Sequence, residues 1–248
     1  MLKGKIDEKT ITSFIDAVSI FVTECRLHIN EKEIHTAAVN QSNVALAQVK
    51  LSKDGFSEYI VTPSEMCLDI TKLKSALVCI RADEYSVLFT ESSGKVEFSG
   101  NGYTYRMSLL ADASLRKDPT SDPSQLPLPC HLQMSGKEFS NAITAIGKIS
   151  DVITLKYIKD DGKLSIFSKD ELENMTAEID KNNFSAIKNV DAESMFATEF
   201  VKSIARIASN SDVINIHLGN NMPLRTSLQI GTKNPVIDAT YVVAPRLE

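Results

Sequence analysis

The two halves of this chain carry one apolar pattern written twice, on either side of a proline-rich centre. Ile11, Ile15, Val18 and Phe21 recur at helical spacing, and Phe139, Ile143, Ile146 and Ile149 repeat them 128 positions later. An alternating stretch follows each stripe, with Leu27 and Ile29 standing against Leu155 and Tyr157 at the same distance. A second stripe, Leu73, Leu77 and Ile80, matches Phe200, Ile204 and Ile207 at an offset of 127, and Val87 and Phe89 match Ile214 and Ile216 at that same offset. Two helices and two strands in shared register predict a duplicated domain of about 120 residues.

The centre supports that division. Leu115–Pro129 holds four of the chain's eight prolines, at 119, 123, 127 and 129. Proline fixes φ and removes a donor, which rules out helix and central strand and leaves an extended connector. The expected organisation is an N-terminal domain over 1–117, a linker over 118–129 and a C-terminal domain over 130–248. Strands are expected at Val44–Leu51, Tyr59–Val61, Ser86–Thr90, Lys95–Ser99, Tyr103–Leu110, Lys163–Ser168, Met175–Ile179, Arg225–Ile230 and Asp238–Val243, and the first residues also read as a strand. Asp54-Gly55, Asn101-Gly102 and Asp161-Gly162 read as hairpin turns, because glycine tolerates positive φ. The fold class is α+β, with two helices packed on antiparallel sheets in each half.

Apolar residues make up 43% of the 248 and charged residues 24%, enough for a core and unlike a disordered tail. No run reaches 18 apolar residues, so no membrane is expected, and a cytoplasmic protein is. Cys25, Cys67, Cys79 and Cys130 lie far apart and read as buried free thiols. His28, His35, His131 and His217 show no metal-ligand spacing, so neither metal nor cofactor is expected. The Gly-rich stretch 99–103 lacks the Lys-Ser/Thr of a phosphate loop and opens a strand, while Asp160-Asp161 and Asp83-Glu84 read as solvated turn acids. No nucleophile signature is present, and nothing asks for an enzyme.

The net charge is −5, so a nucleic-acid partner would require positive charge gathered on one surface. The helices offer one. Thr198, Lys202 and Arg206 share a face of the last helix, as do Asn141, Thr144 and Lys148 near the third, and the second carries Lys72 and Lys74. Such a polar-to-basic surface can meet phosphates without reading bases. The first helix departs from this: Thr10 to Glu24 has no Lys or Arg, holds Asp16, and presents Thr12, Ser13, Ser19 and Thr23.

The stretch Val39–Leu46 (VNQSNVAL), Gly55-Phe56 with Tyr59, and the ending Tyr241–Glu248 (YVVAPRLE) resemble the proliferating cell nuclear antigen (PCNA) family of DNA sliding clamps. Glu24-Cys25 and the acidic, proline-rich linker resemble its archaeal members most. The resemblance implies a homotrimeric ring of six domains with helices lining the hole around double-stranded DNA. It implies subunits joined edge to edge through Thr104–Ala111, with Thr104, Tyr105, Met107 and Leu109, and Glu173–Lys181, with Met175, Ala177 and Ile179. It also implies a groove for the PIP-type peptides of polymerase, ligase and nuclease, formed by Val39, Val44, Leu46, Leu126, Leu128, Pro223, Leu224, Val242, Ala244 and Pro245, and a clamp loader that opens the ring. Thr12, Ser13, Ser19 and Thr144 stand where the family often has Lys or Arg, which implies weaker, salt-sensitive DNA contact. Three rivals remain. One is a subunit of a heterotrimeric or checkpoint-type clamp, another is an intracellular α+β enzyme whose halves enclose a site, and the third is a protein-only adaptor that never encircles DNA.

Overall fold

The computed structural model describes residues 1–248 except Ser121, Thr232, Lys233, Asn234, Leu247 and Glu248, and the side chain of Glu91. Ser121 of the linker and the last two residues of the ending motif therefore lie outside the described residues. The chain forms two compact units. Unit one is Met1–Gln41, Ala47–Thr120 and Lys233–Ala239; unit two is Ser42–Leu46, Ser121–Thr232 and Thr240–Glu248.

The first half runs β1 (Leu2–Asp7), α1 (Glu8–Val18), β2 (Glu24–Ile29), β3 (Glu33–Val39), β4 (Ala45–Ser52), β5 (Phe56–Val61), β6 (Ser64–Asp69), α2 (Ile70–Ile80), β7 (Glu84–Thr90), β8 (Lys95–Gly100) and β9 (Tyr103–Ser108). The second runs β10 (Cys130–Ser135), α3 (Gly136–Ile146), β11 (Val152–Ile158), β12 (Lys163–Lys169), β13 (Asn174–Asp180), β14 (Phe184–Lys188), β15 (Ala192–Ala197), α4 (Thr198–Ala208), β16 (Val213–Leu218), β17 (Leu224–Ile230) and β18 (Ile237–Val243). Among the described residues the sequence of elements is the same in both halves, nine strands and two helices.

The sheets repeat as well. In the first half the strand orders are β5-β1-β7-β8-β9 and β6-β2-β3-β4; in the second they are β14-β10-β16-β17-β18 and β15-β11-β12-β13. The strands alternate as a half-buried sheet requires: β1 buries Leu2, Gly4 and Ile6, and β10 buries Cys130, Leu132 and Met134. The helices close the other side of each core, α1 with Phe14 and Ile15 and α3 with Phe139 and Ile143.

The helices begin in the same way in both halves. Glu8 N–H donates to Asp83 O at 2.9 Å, and Gly136 N–H to Asp212 O at 3.4 Å. Ile70 N–H donates to Thr23 O at 2.8 Å, and Thr198 N–H to Asp151 O at 2.9 Å. Each bond satisfies a first-turn donor that the helix itself cannot. The caps differ: Asp7 and Asp69 accept from Thr10 N–H and Lys72 N–H, both at 2.9 Å, whereas Ser135 and Ala197 make no side-chain cap bond.

The structure corrects the sequence register. Both helix pairs repeat at 128, so Leu73, Leu77 and Ile80 correspond to Val201, Ala205 and Ala208. Three residues separate α2 from β7 and four separate α4 from β16, and this single insertion moves β16 and β17 to an offset of 129 from β7 and β8. Pairing fixes it: Leu2 faces Phe89 as Cys130 faces Leu218. Phe21 and Ile149 lie just beyond the ends of α1 and α3, in the same place in each half. Asp54-Gly55 is not a hairpin. Lys53–Gly55 forms a 3-10 turn carrying the chain from β4, beside β3, to β5, beside β1. A Cβ on Gly55 would approach Leu51 Cδ1 at 3.0 Å, so this glycine provides room, not a positive φ. Asn101-Gly102 and Gly162 do adopt positive φ in hairpin turns.

Gly136 marks the closest approach in unit two. A Cβ there would lie 2.2 Å from Ala208 O and 2.5 Å from Ser211 O, backbone atoms that cannot rotate away. The corresponding residue at the start of α1 is Glu8, which carries a full side chain. Gly136→Ala is expected to lower stability by about 2–3 kcal/mol through forced backbone separation, and Glu8→Ala by about 0.5 kcal/mol or less. Denaturant midpoints of the two variants check this contrast.

Candidate nucleic-acid interface and docking surfaces

The helix faces divide by charge between the units. In unit two Lys148, Lys202 and Arg206 are exposed, and among the described residues none forms an ion pair. Lys202 Nζ lies 3.5 Å from Gly147 O, which keeps it over the end of α3. Asn141 and Thr144 are also exposed. Thr198 is not part of this face: it is buried, and its hydroxyl donates to Ser150 O at 2.9 Å. In unit one both lysines of α2 have carboxylate partners. Lys74 Nζ sits 2.5 Å from Asp16 Oδ1 on α1, and Lys72 Nζ 3.2 Å from Asp69 Oδ2 at the helix cap. Surface pairs of this kind contribute only about 0–1 kcal/mol to stability, but they cancel positive charge that a phosphate would otherwise meet. Lys9 falls inside α1, which begins earlier than the sequence suggested, while Thr12, Ser13 and Ser19 are half-buried.

The sheet edges are treated unequally. The β1–β5 and β10–β14 pairings each contain a register shift, and bulged edges resist pairing with another chain. The outer side of β6 is bonded by Leu110 N–H to Cys67 O at 2.9 Å. That of β15 is bonded by Asn221 N–H to Glu193 O and by Arg246 N–H to Met195 O. The run beginning at Val44 is covered too: Ser52 N–H donates to Val236 O within unit one, and Val44 O accepts from Ala244 N–H within unit two. This leaves β9 and β13. Each pairs without a register shift on its inner side, and among the described residues no outside backbone group bonds to its outer side.

The edge residues expected from the sequence lie on these two strands or just beyond them. Thr104 and Met175 are exposed; Tyr105, Leu109 and Ala177 are half-buried. Met107 and Ile179 are corrections, since at 6% and 9% exposure they belong to the cores. Tyr103, unremarked in the sequence, is 63% exposed beside a hollow that β9 shares with Thr71, Ser75 and Cys79 of α2. Cys79 is exposed, against expectation, while Cys25, Cys67 and Cys130 are buried, and burial pushes the Cys25 thiol up to about 12.

The residues expected to line a docking groove fall in both units. Val39 is half-buried at the end of β3 in unit one. In unit two Val44, Leu46, Pro223, Val242, Ala244 and Pro245 are half-buried and Leu224 is fully buried. Leu126 is half-buried, whereas Leu128 is a core residue at 4% exposure.

Sequence reasoning missed the residues that hold the linker. In unit one Arg26 donates to Asp112 through Nε at 2.9 Å and also through Nη2, and through Nη1 to Asp118 at 2.7 Å. The hydrogen bond to Asp112 raises the guanidinium pKa. His28 places Nε2 2.5 Å from Asp118 Oδ2 and Nδ1 3.2 Å from Glu65 Oε1. In unit two Arg225 Nη1 faces Pro123 O at 3.0 Å, Ser124 O at 2.5 Å and Leu126 O at 3.4 Å, and Nη2 lies 3.0 Å from His217 Nδ1. The available signal was two strands with basic residues on their polar side, Asp112 just ahead of the linker, and Asp118 and Asp122 within it.

Comparison with known proteins places this geometry. Residues 1–98 match the family model described as proliferating cell nuclear antigen, N-terminal domain. The chain is 31% identical over 249 residues to the DNA polymerase sliding clamp of Methanoculleus marisnigri, covering 100% of this chain and 99% of that protein. It is 32% identical over 250 residues to the DNA polymerase sliding clamp of Methanocorpusculum labreanum, with the same coverage. A solved structure described as the C-terminal region of FEN-1 bound to A. fulgidus PCNA shares the fold, with a TM-score of 0.90 and 24% identity over 100% of this chain and 99% of that one.

His217 yields a pH prediction. Burial, then the charges of Arg225, His131 and Lys188, push its pKa down from 6.5 to about 3. Between those values the unfolded chain binds a proton that the folded chain refuses, so folding stability falls as pH drops through that window. Burial lowers the pKa of His35 in the same direction. His217→Asn, which keeps an acceptor but does not titrate, is expected to shrink the loss of denaturant midpoint between pH 7 and pH 4.5. An unchanged pH profile would place the acid sensitivity elsewhere.

Proposed function

The chain belongs to the proliferating cell nuclear antigen family of DNA polymerase sliding clamps, in its archaeal form, and we propose that it acts as a homotrimeric ring around double-stranded DNA and tethers replication and repair enzymes there. Similarity to DNA polymerase sliding clamps along the whole chain carries this reading. The protein performs no chemistry of its own. A clamp loader opens the ring, and polymerase, ligase and nuclease dock through PIP-type peptides. It works in the cytoplasm at the nucleoid.

The domains are 1–117 and 130–248, joined by the linker 118–129. Copies join head to tail, β9 of one against β13 of the next, since these are the regular, uncovered edges. Lys148, Lys202 and Arg206 meet the phosphates more strongly than Lys72 and Lys74, whose charges face Asp69 and Asp16. Few phosphate contacts imply modest affinity that falls with salt, so topological linkage retains the ring on DNA. Partner peptides seat against Val44, Leu46, Leu126, Val242, Ala244 and Pro245, half-buried apolar residues of unit two. Leu128 and Leu224 form the floor beneath them.

Light scattering of the purified protein is expected to give three times the 27.3 kDa chain mass, and Ala177→Arg on β13 to give monomers. A wild-type monomer or dimer would point instead to a heterotrimeric clamp with missing partners. Lys202→Ala with Arg206→Ala is expected to reduce loading on circular DNA more than Lys72→Ala with Lys74→Ala. Asp16→Asn, which frees Lys74, should raise DNA affinity and steepen its salt dependence. Equal effects of the two double variants would overturn the assignment of the stronger contact to unit two.

A further inference from the structure

We propose that Arg225, with His217 behind it, is a positioning residue for partner-peptide docking, fixing the linker turn that presents Leu126. The inference rests on the groove reading above. The linker enters unit two through a 3-10 turn at Pro123–Gln125, capped by Asp122, whose carboxylate accepts from Ser124 N–H at 2.9 Å. Inside the turn Gln125 N–H donates to Asp122 O at 3.1 Å and Leu126 N–H to Pro123 O at 3.3 Å. A turn this short leaves Ser124 O without a main-chain donor among the described residues. The Arg225 guanidinium provides one, with Nη1 2.5 Å from Ser124 O, and the same nitrogen also faces the carbonyls of Pro123 and Leu126 at the two ends of the turn. Leu126, half-buried, is therefore held through its own main chain, and Leu128 N–H donates in turn to Leu126 O at 2.8 Å.

The guanidinium is itself held in place. His217 Nδ1 accepts from Nη2 at 3.0 Å, which requires an unprotonated Nδ1. The His217 ring stacks on His131 at 3.9 Å between centroids, and His131 Nε2 lies 3.0 Å from Asn215 Oδ1. The charged and titratable groups around this assembly are His131 on β10, Lys188 on β14, Arg225 on β17 and Asp122 in the linker. A lysine at 225 would supply charge but only one nitrogen, too few to serve the turn and His217 together.

The test compares wild type with Arg225→Ala, Arg225→Lys, His217→Asn and His217→Phe, each as the intact ring. The first readout is hydrogen exchange over 122–128, and the second is binding of a synthetic peptide of the FEN-1 C-terminal region. Arg225→Ala is expected to speed exchange in that segment and weaken the peptide about tenfold, the loss typical of a charge-assisted hydrogen bond, with ring mass and thermal midpoint retained. Arg225→Lys should recover only part of this. His217→Asn should match wild type, and His217→Phe, which keeps the stack but not the acceptor, should fall between wild type and Arg225→Ala. Unchanged exchange over 122–128 in Arg225→Ala overturns the proposal. So does unchanged peptide affinity in that variant when Leu126→Ser abolishes binding. A wild-type ring that does not bind the peptide overturns the groove reading instead, and the exchange data then decide separately whether Arg225 holds the turn. If Arg225→Ala fails to assemble, the His217→Phe and His217→Asn pair decides.

Discussion

Each helix is fixed at its first turn by a backbone hydrogen bond that it donates to a loop carbonyl outside it, and the rest of each half follows from that bond. Glu8 to Asp83 and Ile70 to Thr23 in one half, Gly136 to Asp212 and Thr198 to Asp151 in the other, set where the helices begin and which side they turn to their sheets. Main-chain bonds do not depend on side-chain identity, so the frame can persist while surface residues diverge. That is the relation observed between the halves. Ile70, Leu73, Leu77 and Ile80 are buried, as are Thr198, Val201, Ala205 and Ala208 at the corresponding places, although only the spacing is shared.

On this common frame the two helix pairs are charged differently. In the first half Asp7 and Asp69 cap the two helices and Asp16 stands in the last turn of α1; Asp69 faces Lys72 and Asp16 faces Lys74. In the second half the caps carry no acid and the three basic residues are left without carboxylate partners among the described residues. A net charge of −5 is thus compatible with phosphate contact, because Lys148, Lys202 and Arg206 keep their charge unpaired among the described residues even though Glu138 and Glu199 stand in the first turns of α3 and α4.

Much of the fold was legible in the sequence, and the misses have physical causes. The α1 and α3 stripes gave the 128-residue repeat directly, because a helix face tolerates little slippage. The later strands were placed at 127 instead of 129 because alternation has period two, so a two-residue slip buries the same face. The second stripe was off by one because α4 buries adjacent residues, Ile204 with Ala205 and Ile207 with Ala208, and its small alanines were outweighed by larger neighbours. Strand β14 was not expected, since four of its five residues are exposed and show no alternation. At the candidate site the basic and apolar residues could be read from residue type, but their partners could not. Asp16 lies 58 positions from Lys74, and Arg225 is about a hundred from the carbonyls it serves. Helical spacing and strand alternation report on near neighbours only.

The two uncovered edges, β9 and β13, belong to different places in the repeated pattern. The strand corresponding to β9 is β18, and the strand corresponding to β13 is β4. A junction built from them has two unlike sides, so copies joined through it all point the same way around the circle. Any open row, however long, keeps one bare strand of each kind at its ends, and only closing the circle removes both. Parting a closed circle at one junction exposes that same pair of ends while every other junction stays made. A circle built from the proposed junction can therefore open to admit a long polymer and remain a single object.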